Sequence, residues 1–261
     1  MEHNSILPEE TLSAGLIKYL LAERPEYRET PIPRSEEERF RLYRSLVNIR
    51  PAAPVSDEYL EAEESYLRSL TAAKGITDVS ELAPAEKNIY LWQGDITTLR
   101  CGAIVNAANS GMTGCYQPCH SCIDNCIHTF AGVLLRAECT RIMETQRHEE
   151  PTGQAKLTRA YCLPCDHVIH TVGPIVQGQL NERHCALLES CYSSCLELAA
   201  ANDIGSIAFC CISTGVFGFP KKEAARIAVR TVREYLKTHE IKVVFNVFGD
   251  DDREIYEELL S

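Results

Sequence analysis

The spacing of apolar and polar positions changes near residue 85 of the chain. Before that point, apolar residues recur at helical intervals in three segments separated by proline-bearing breaks, at about 8–23, 35–49 and 56–73. Ser35 opens the second segment with Glu38 three residues later, which is the spacing of a capping box. Residues 1–85 are therefore predicted to form an all-helical extension that packs on the rest of the protein.

From residue 86 onwards, short apolar runs alternate with long helical patterns. The predicted strands cover about 88–92, 103–105, 168–171, 206–212 and 242–248. The predicted helices cover about 127–146, 182–201 and 222–238, and a last one begins near 252. Strands that alternate with long helices form a mostly parallel sheet with helices on both faces. Residues 86–261 are thus predicted to be an α/β domain.

Composition and charge restrict the partners that the chain can have. Its 261 residues are 45% apolar and 24% charged, which is typical of a soluble globular protein. The formal net charge of −11 disfavours nucleic acid, because no basic stripe offsets repulsion from the phosphates. No apolar run approaches the roughly 20 residues of a membrane span, and no signal peptide is recognisable. We expect a cytoplasmic monomer that binds neither membrane nor nucleic acid.

The sequence contains 13 cysteines, and the densest cluster of them includes a histidine. Cys115, His120 and Cys122 follow the pattern Cys-x4-His-x-Cys, with Cys119 and Cys126 nearby. Thiolate and imidazole groups so close together suit Zn²⁺ as ligands. The alternative is a coincidental grouping of thiols in a cysteine-rich chain. The cluster predicts a zinc site.

The number of protein ligands would decide what such a zinc ion does. Cys119 or Cys126 could serve as a fourth ligand, which would close the site and make it structural. Three ligands would leave one position for water or substrate, as in catalytic zinc sites. Asp124 lies two residues after Cys122, where its carboxylate could orient a water.

Two further motifs lie at predicted strand ends. Asp95, in the string GDIT at 94–97, could accept hydrogen bonds from a ligand amine, or it could simply cap a turn. The string STGVFGFP at 213–220 connects a strand to a helix. Backbone N–H groups in such small-residue loops converge on phosphate oxygens, although a plain turn is the alternative. Phe217 and Phe219 could flank a ribose or base, or belong to the core.

Four strings together closely resemble the macrodomain family: GDIT at 94–97, IVNAANS at 104–110, VIHTVGP at 168–174 and ISTGVFG at 212–218. This resemblance implies a three-layer α/β/α fold with a mixed, mostly parallel central sheet. Macrodomains bind ADP-ribose, and many hydrolyse it from proteins.

One departure from the family pattern narrows the resemblance to a branch. The segment IDNCIHTFAG at 123–132 keeps the helix start of hydrolytic macrodomains, but CYQPCHSC replaces the glycine-rich loop before it. That replacement resembles the zinc-dependent macrodomains, which are microbial protein-ADP-ribose hydrolases with a helical N-terminal extension. Zn²⁺ would then be bound by Cys115, His120 and Cys122, with the role of Cys119 still open.

The resemblance also implies roles for individual residues. Asp124 and Asn109 take the catalytic positions, while Asn106 is structural. Asp95 would accept a hydrogen bond from adenine, the loop 213–217 would hold the diphosphate, and Asn109 would contact the distal ribose. The ligand-binding residues implied in this way are Asp95, Ile96, Asn109, Ile123, Ser213, Thr214, Gly215, Val216, Phe217 and Phe248.

We therefore predict a zinc-dependent hydrolase that removes ADP-ribose from mono-ADP-ribosylated protein side chains. Two alternatives stay open from the sequence. One is a module that binds ADP-ribose without cleaving it, and the other is a hydrolase of O-acetyl-ADP-ribose.

Overall fold

The structure is a computed structural model that describes residues 8–261, with side chains from residue 12 onwards. Its first elements are three helices: α1 (Pro8–Ala22), α2 (Glu36–Ile49) and α3 (Asp57–Lys74). The Ser35 side chain accepts a hydrogen bond from the Glu38 N–H at 3.3 Å, so the predicted cap of α2 is present. The helical content predicted for this part of the chain is therefore observed.

The three helices share a hydrophobic core with the rest of the protein. Leu16 and Ile17 of α1, Tyr43 of α2 and Leu67 of α3 are almost completely buried, in the same cluster as the side chains of the sheet. Because this cluster is continuous, the boundary between an extension and a separate domain at residue 85 stays a prediction.

Nine strands follow within the described residues. They are β1 (Thr77–Asp78), β2 (Pro84–Glu86), β3 (Ile89–Gln93), β4 (Leu99–Arg100), β5 (Ala103–Ala108), β6 (Ala155–Arg159), β7 (His167–Val172), β8 (Ser206–Phe209) and β9 (Lys242–Val247). Strands β1 and β4 form a small parallel pair. The others form one sheet in the order β2-β3-β9-β8-β5-β7-β6, parallel in the middle and antiparallel at both edges.

Five more helices cover the sheet in the described part of the chain: α4 (Ile123–Ala131), α5 (Val133–Gln146), α6 (Glu182–Ala201), α7 (Lys221–Tyr235) and α8 (Asp250–Leu260). This arrangement confirms the predicted α/β fold with a mixed, mostly parallel sheet. None of the helices in residues 8–261 has the length and hydropathy that a membrane span requires. The cytoplasmic location and the monomeric state stay predictions.

Several predicted boundaries were wrong. The helix predicted at 127–146 is two helices, and it begins at Ile123. The chain bends at Gly132, whose φ of 85° favours glycine, and a Cβ there would lie 2.6 Å from Oε2 of Glu63. The strand predicted at 206–212 ends at Phe209, and both antiparallel edge strands were missed.

The parallel strands bring the predicted motifs to one edge. Since β3, β9, β8 and β5 run in the same direction, their carboxyl ends lie together. Asp95 follows β3, Asn109 follows β5, Ser213 follows β8 and Phe248 follows β9. The order of the sheet thus places these residues around one edge.

Candidate active site

The loop after β8 presents unused backbone donors. Within the described residues, the N–H groups of Gly215, Val216 and Phe217 donate to no protein acceptor, whereas Thr214 N–H donates to the Cys211 carbonyl at 3.3 Å. Val216 is 80% exposed, so the loop reaches solvent. Three adjacent donors in a loop between a strand and a helix can bind phosphate oxygens.

The same loop packs closely against Gly173, which directly follows β7. Ser213 has a φ of 66°, and its buried hydroxyl has no hydrogen-bond partner among the described residues. A Cβ added to Gly173 would lie only 2.0 Å from the Ser213 Oγ, so the two backbones approach closely. Phe219 belongs to the core, while Phe217 is half-buried. The loop shape thus depends on a glycine in a neighbouring strand connection.

Asp95 begins a short 3-10 turn after β3. Its Oδ1 accepts hydrogen bonds from the Thr97 N–H at 3.0 Å and the Thr97 hydroxyl at 2.6 Å, while Lys74 Nζ donates to Oδ2 at 2.8 Å. Burial opposes ionisation, but these hydrogen bonds hold the pKa of Asp95 below its ordinary value. The cap interpretation is therefore correct for one oxygen, and the other oxygen is shared with a lysine of α3.

The remaining residues predicted to contact the nucleotide lie after β3, after β9 or at the start of α4. Ile96 is buried in the turn after Asp95, whereas Phe248 is 80% exposed at the end of β9. Ile123 is half-buried as the first residue of α4. The roles of all the predicted binding residues stay predictions.

Asp124 is buried in the first turn of α4. Its Oδ1 accepts a hydrogen bond from Asn106 Nδ2 at 2.8 Å, and its Oδ2 accepts one from Asn109 Nδ2 at 3.1 Å. Burial raises the pKa of this carboxyl to about 6, although both asparagines and Arg136 favour ionisation. A carboxylate with such a pKa can accept a proton near neutral pH.

The three predicted metal ligands lie together just before Asp124. The donor atoms of Cys115, His120 and Cys122 are all within 4.8 Å of one another, and Cys115 Sγ is 3.7 Å from His120 Nδ1. Tetrahedral zinc would separate a sulfur and a nitrogen ligand by about 3.6 Å. The donor set and its spacing therefore fit a zinc ion.

The thiols near this group differ in their surroundings. Cys122 Sγ accepts a hydrogen bond from the Asn125 N–H, and burial raises the pKa of its thiol to about 12. Cys119 Sγ donates to the Arg41 carbonyl at 3.4 Å, and Cys126 Sγ accepts from the Arg44 guanidinium at 3.5 Å. The two thiols considered as a fourth ligand thus contact α2 instead of the three-residue group.

Known proteins resemble this chain over most of its length. The family profile described as Macro domain matches residues 105–228. A Treponema medium protein named protein-ADP-ribose hydrolase is 55% identical over 252 residues, covering 94% of this chain and 97% of that protein. The chain belongs to the Macro domain family. A Staphylococcus aureus protein of the same name is 51% identical over 234 residues, covering 88% of both chains.

Solved structures also resemble this macrodomain. The Trypanosoma brucei macrodomain in complex with ADP-ribose is 32% identical with a TM-score of 0.65, covering 84% of this chain and 95% of that one. The Oceanobacillus iheyensis macrodomain with ADP is 38% identical with a TM-score of 0.61, covering 66% of this chain and 89% of that one.

His128 lies close in sequence to the cysteine and histidine cluster, but it was not among the predicted site residues. His128 Nε2 lies 3.6 Å from Asp124 Oδ1, and neither ring nitrogen has a hydrogen-bond partner among the described residues. Burial, with His170 nearby, lowers the pKa of His128, so the ring is neutral beside the carboxyl. The spacing of four residues between Asp124 and His128 on a predicted helix could have revealed this contact.

Proposed function

We propose that this macrodomain is a zinc-dependent hydrolase that removes ADP-ribose from mono-ADP-ribosylated protein side chains. The proposal depends above all on the start of α4, where Cys122 is the N-cap residue and Asp124 follows two residues later in the first turn. One belongs to a donor group that fits zinc, and the other is a buried carboxyl with a pKa of about 6. Relatives named protein-ADP-ribose hydrolase support the same activity.

Different residues of the chain would bind different parts of the ADP-ribose. The free N–H groups of Gly215, Val216 and Phe217 would bind the diphosphate, and Asp95 would accept a hydrogen bond from the adenine amino group. Phe248, which is exposed at the end of β9, would lie beside the adenine or its ribose. This binding would hold the distal ribose near Asp124, so that binding energy positions the reacting carbon.

Asp124 would act as general base in the hydrolysis. Asn106 and Asn109 each donate to one of its oxygens and fix its orientation, while both oxygens retain capacity for a further hydrogen bond. Asp124 would take a proton from the water that attacks the anomeric carbon, and the protein side chain would leave. Cys115, His120 and Cys122 would hold a zinc ion that supplies Lewis acidity beside this carboxylate.

A chelator-controlled assay tests the proposal. Mono-ADP-ribosylated protein is incubated with enzyme whose zinc has been removed and verified absent, and with the same enzyme after zinc is returned. We expect release of ADP-ribose only with zinc, and loss of both zinc and turnover in Cys122→Ala. Cys119→Ala is the matched control and should keep both, because its thiol contacts the Arg41 carbonyl.

A binding measurement and a second substrate separate the alternatives. ADP-ribose binding by calorimetry without turnover would indicate a binding module, and a faster reaction on O-acetyl-ADP-ribose would indicate a metabolite hydrolase. Undiminished turnover after zinc removal would contradict the role proposed for the metal.

A further inference from the structure

We propose that Arg44 of helix α2 is a positioning residue for the metal ligands, acting together with Asn125. Residues 113–122, here called the metal loop, contain all three ligands but no helix or strand. The ligand geometry therefore depends on what holds this loop. The inference depends on the proposed zinc site, and it assigns a role to the helices before the sheet.

The Arg44 guanidinium makes its hydrogen bonds to the metal loop and the start of α4. Its Nη2 donates to the His120 carbonyl at 2.7 Å and to Asn125 Oδ1 at 2.8 Å, and its Nε lies 3.2 Å from the same Oδ1. Among the described residues, no carboxylate forms an ion pair with Arg44. The side chain is therefore not explained as one half of a salt bridge.

Asn125, which Arg44 holds in place, contacts the other two ligand residues, Cys115 and Cys122. Its buried Nδ2 donates to the carbonyls of Cys115 at 3.3 Å and Gln117 at 2.9 Å. Its backbone N–H donates to Cys122 Sγ at 3.4 Å. Because Arg44 occupies the Oδ1 of this amide, it fixes which end of Asn125 faces the loop. The pair Arg44 and Asn125 thus contacts Cys115, His120 and Cys122.

A second side chain of α2 supports the same loop one helical turn later. Asn48 Oδ1 accepts a hydrogen bond from the Cys119 N–H at 2.9 Å, and its Nδ2 donates to Thr129 Oγ1 at 3.1 Å. Cys119 has a φ of 54°, a left-handed conformation that needs such support. Helix α2 therefore contacts the loop through Arg44, through Asn48 and through the Arg41 carbonyl, and of these Arg44 is the one that reaches the ligand residues.

The metal affinity of Arg44→Ala tests this role directly. Outer partners of metal ligands typically contribute about 10- to 100-fold in affinity, so we expect zinc to bind that much more weakly in competition with a chromogenic chelator. The visible spectrum of the cobalt-substituted protein should also change, since it reports ligand geometry. ADP-ribose affinity measured by calorimetry should stay the same, because the loop at 213–217 does not contact Arg44.

Arg41→Ala is the matched control. Arg41 lies on the same helix and carries the same charge, but its exposed side chain makes no hydrogen bond or ion pair with described residues. It should keep wild-type zinc affinity and the wild-type cobalt spectrum. Arg44→Lys, which keeps the charge but not the forked donors, should fall between wild type and Arg44→Ala.

The outcomes separate this inference from the proposed function. If the wild-type protein binds no stoichiometric zinc, the proposed function itself fails. If it binds zinc and Arg44→Ala matches it in affinity and cobalt spectrum, only the role of Arg44 is overturned. Should Arg44→Ala fail to fold, Arg44→Lys takes its place, and wild-type zinc affinity in that variant would overturn the inference equally.

Discussion

The loop at 213–217, which we propose to bind the diphosphate, and the metal loop are held in different ways. The loop at 213–217 follows a central strand of the sheet, and its glycine contact comes from the connection after β7. The metal loop is restrained from outside the sheet by two arginines. Arg44 donates to the His120 carbonyl, and Arg136 of α5 donates to the Thr113 carbonyl at 2.7 Å.

Arg136 also connects the metal loop to the end of α2. Its Nη1 donates to the carbonyls of Val47 at 2.7 Å and Arg50 at 2.5 Å, and its guanidinium lies 4.4 Å from the Tyr116 ring centroid. These carbonyls belong to the end of the helix, where they lack helical partners. Under the proposed function, nucleotide binding would depend mainly on the sheet, whereas the chemistry would also depend on helices α2 and α5.

Asp124→Asn should have the largest effect, because it should remove catalysis and leave ADP-ribose binding in place. General base catalysis contributes about 10²- to 10⁴-fold, so we expect kcat to fall by that factor. The affinity for ADP-ribose should hardly change. In the wild type, kcat should rise as the pH rises through about 6, because Asp124 accepts a proton only when it is ionised. Single-turnover assays between pH 5 and 8 measure both effects.

Asp166→Asn is the control for this substitution, because Asp166 is exposed and is not one of the proposed site residues. It should leave both kcat and its pH dependence unchanged. Near wild-type turnover in Asp124→Asn, or a kcat that is flat from pH 5 to 7, would remove Asp124 from the mechanism.

Gly173→Ala should have the opposite effect. It should weaken ADP-ribose binding and leave zinc binding by Cys115, His120 and Cys122 unchanged. The added methyl would lie 2.0 Å from the Ser213 Oγ and would displace the loop. Overpacking typically costs about 1–3 kcal/mol, which corresponds to roughly 5- to 150-fold weaker ADP-ribose binding if the loop absorbs it. Calorimetry measures the affinity, and chelator competition measures the zinc.

Gly205→Ala is the matched control, since a Cβ there meets no atom within 4 Å. It should bind ADP-ribose as the wild type does. Loss of zinc along with ADP-ribose in Gly173→Ala would show that the two loops are not independent.

Local patterns were enough to predict the central strands and the residues at their ends. The edge strands were missed because they lack a clear apolar pattern: β2 has the sequence PAE and β6 has the sequence AKLTR. The break at Gly132 depends on Glu63, a buried carboxylate from α3 that accepts a hydrogen bond from the Val133 N–H. No local rule predicts a contact between residues so far apart in the sequence.

The candidate site could be predicted to a similar extent. The grouping of Cys115, His120 and Cys122 could be predicted because these residues lie close together in the chain, whereas the zinc ion and the catalytic role of Asp124 stay predictions. Arg44 contacts His120 across 76 positions, and Lys74 contacts Asp95 across 21, so neither contact could be inferred from spacing. Such contacts follow only from how the helices pack.

Lys74→Met should have the smallest effect, and it tests whether the helices also influence the nucleotide side. Lys74 Nζ pairs with Asp95 Oδ2 at 2.8 Å and lies 3.5 Å from the centroid of the Phe130 ring. Adenine would have to share this oxygen with the lysine. Since partly exposed ion pairs contribute about 0.2–1 kcal/mol, removing the competitor should tighten ADP-ribose binding by up to about fivefold.

Calorimetry at low and high salt measures this effect, because added salt weakens the ion pair and should reduce the difference between variant and wild type. Lys87→Met is the control, as its ion pair with Glu240 is exposed and unrelated to Asp95. Weaker binding in Lys74→Met would mean that the lysine contacts the nucleotide directly. Helix α3 would then contribute to nucleotide binding, and the proposed nucleotide site could no longer be assigned to the sheet alone.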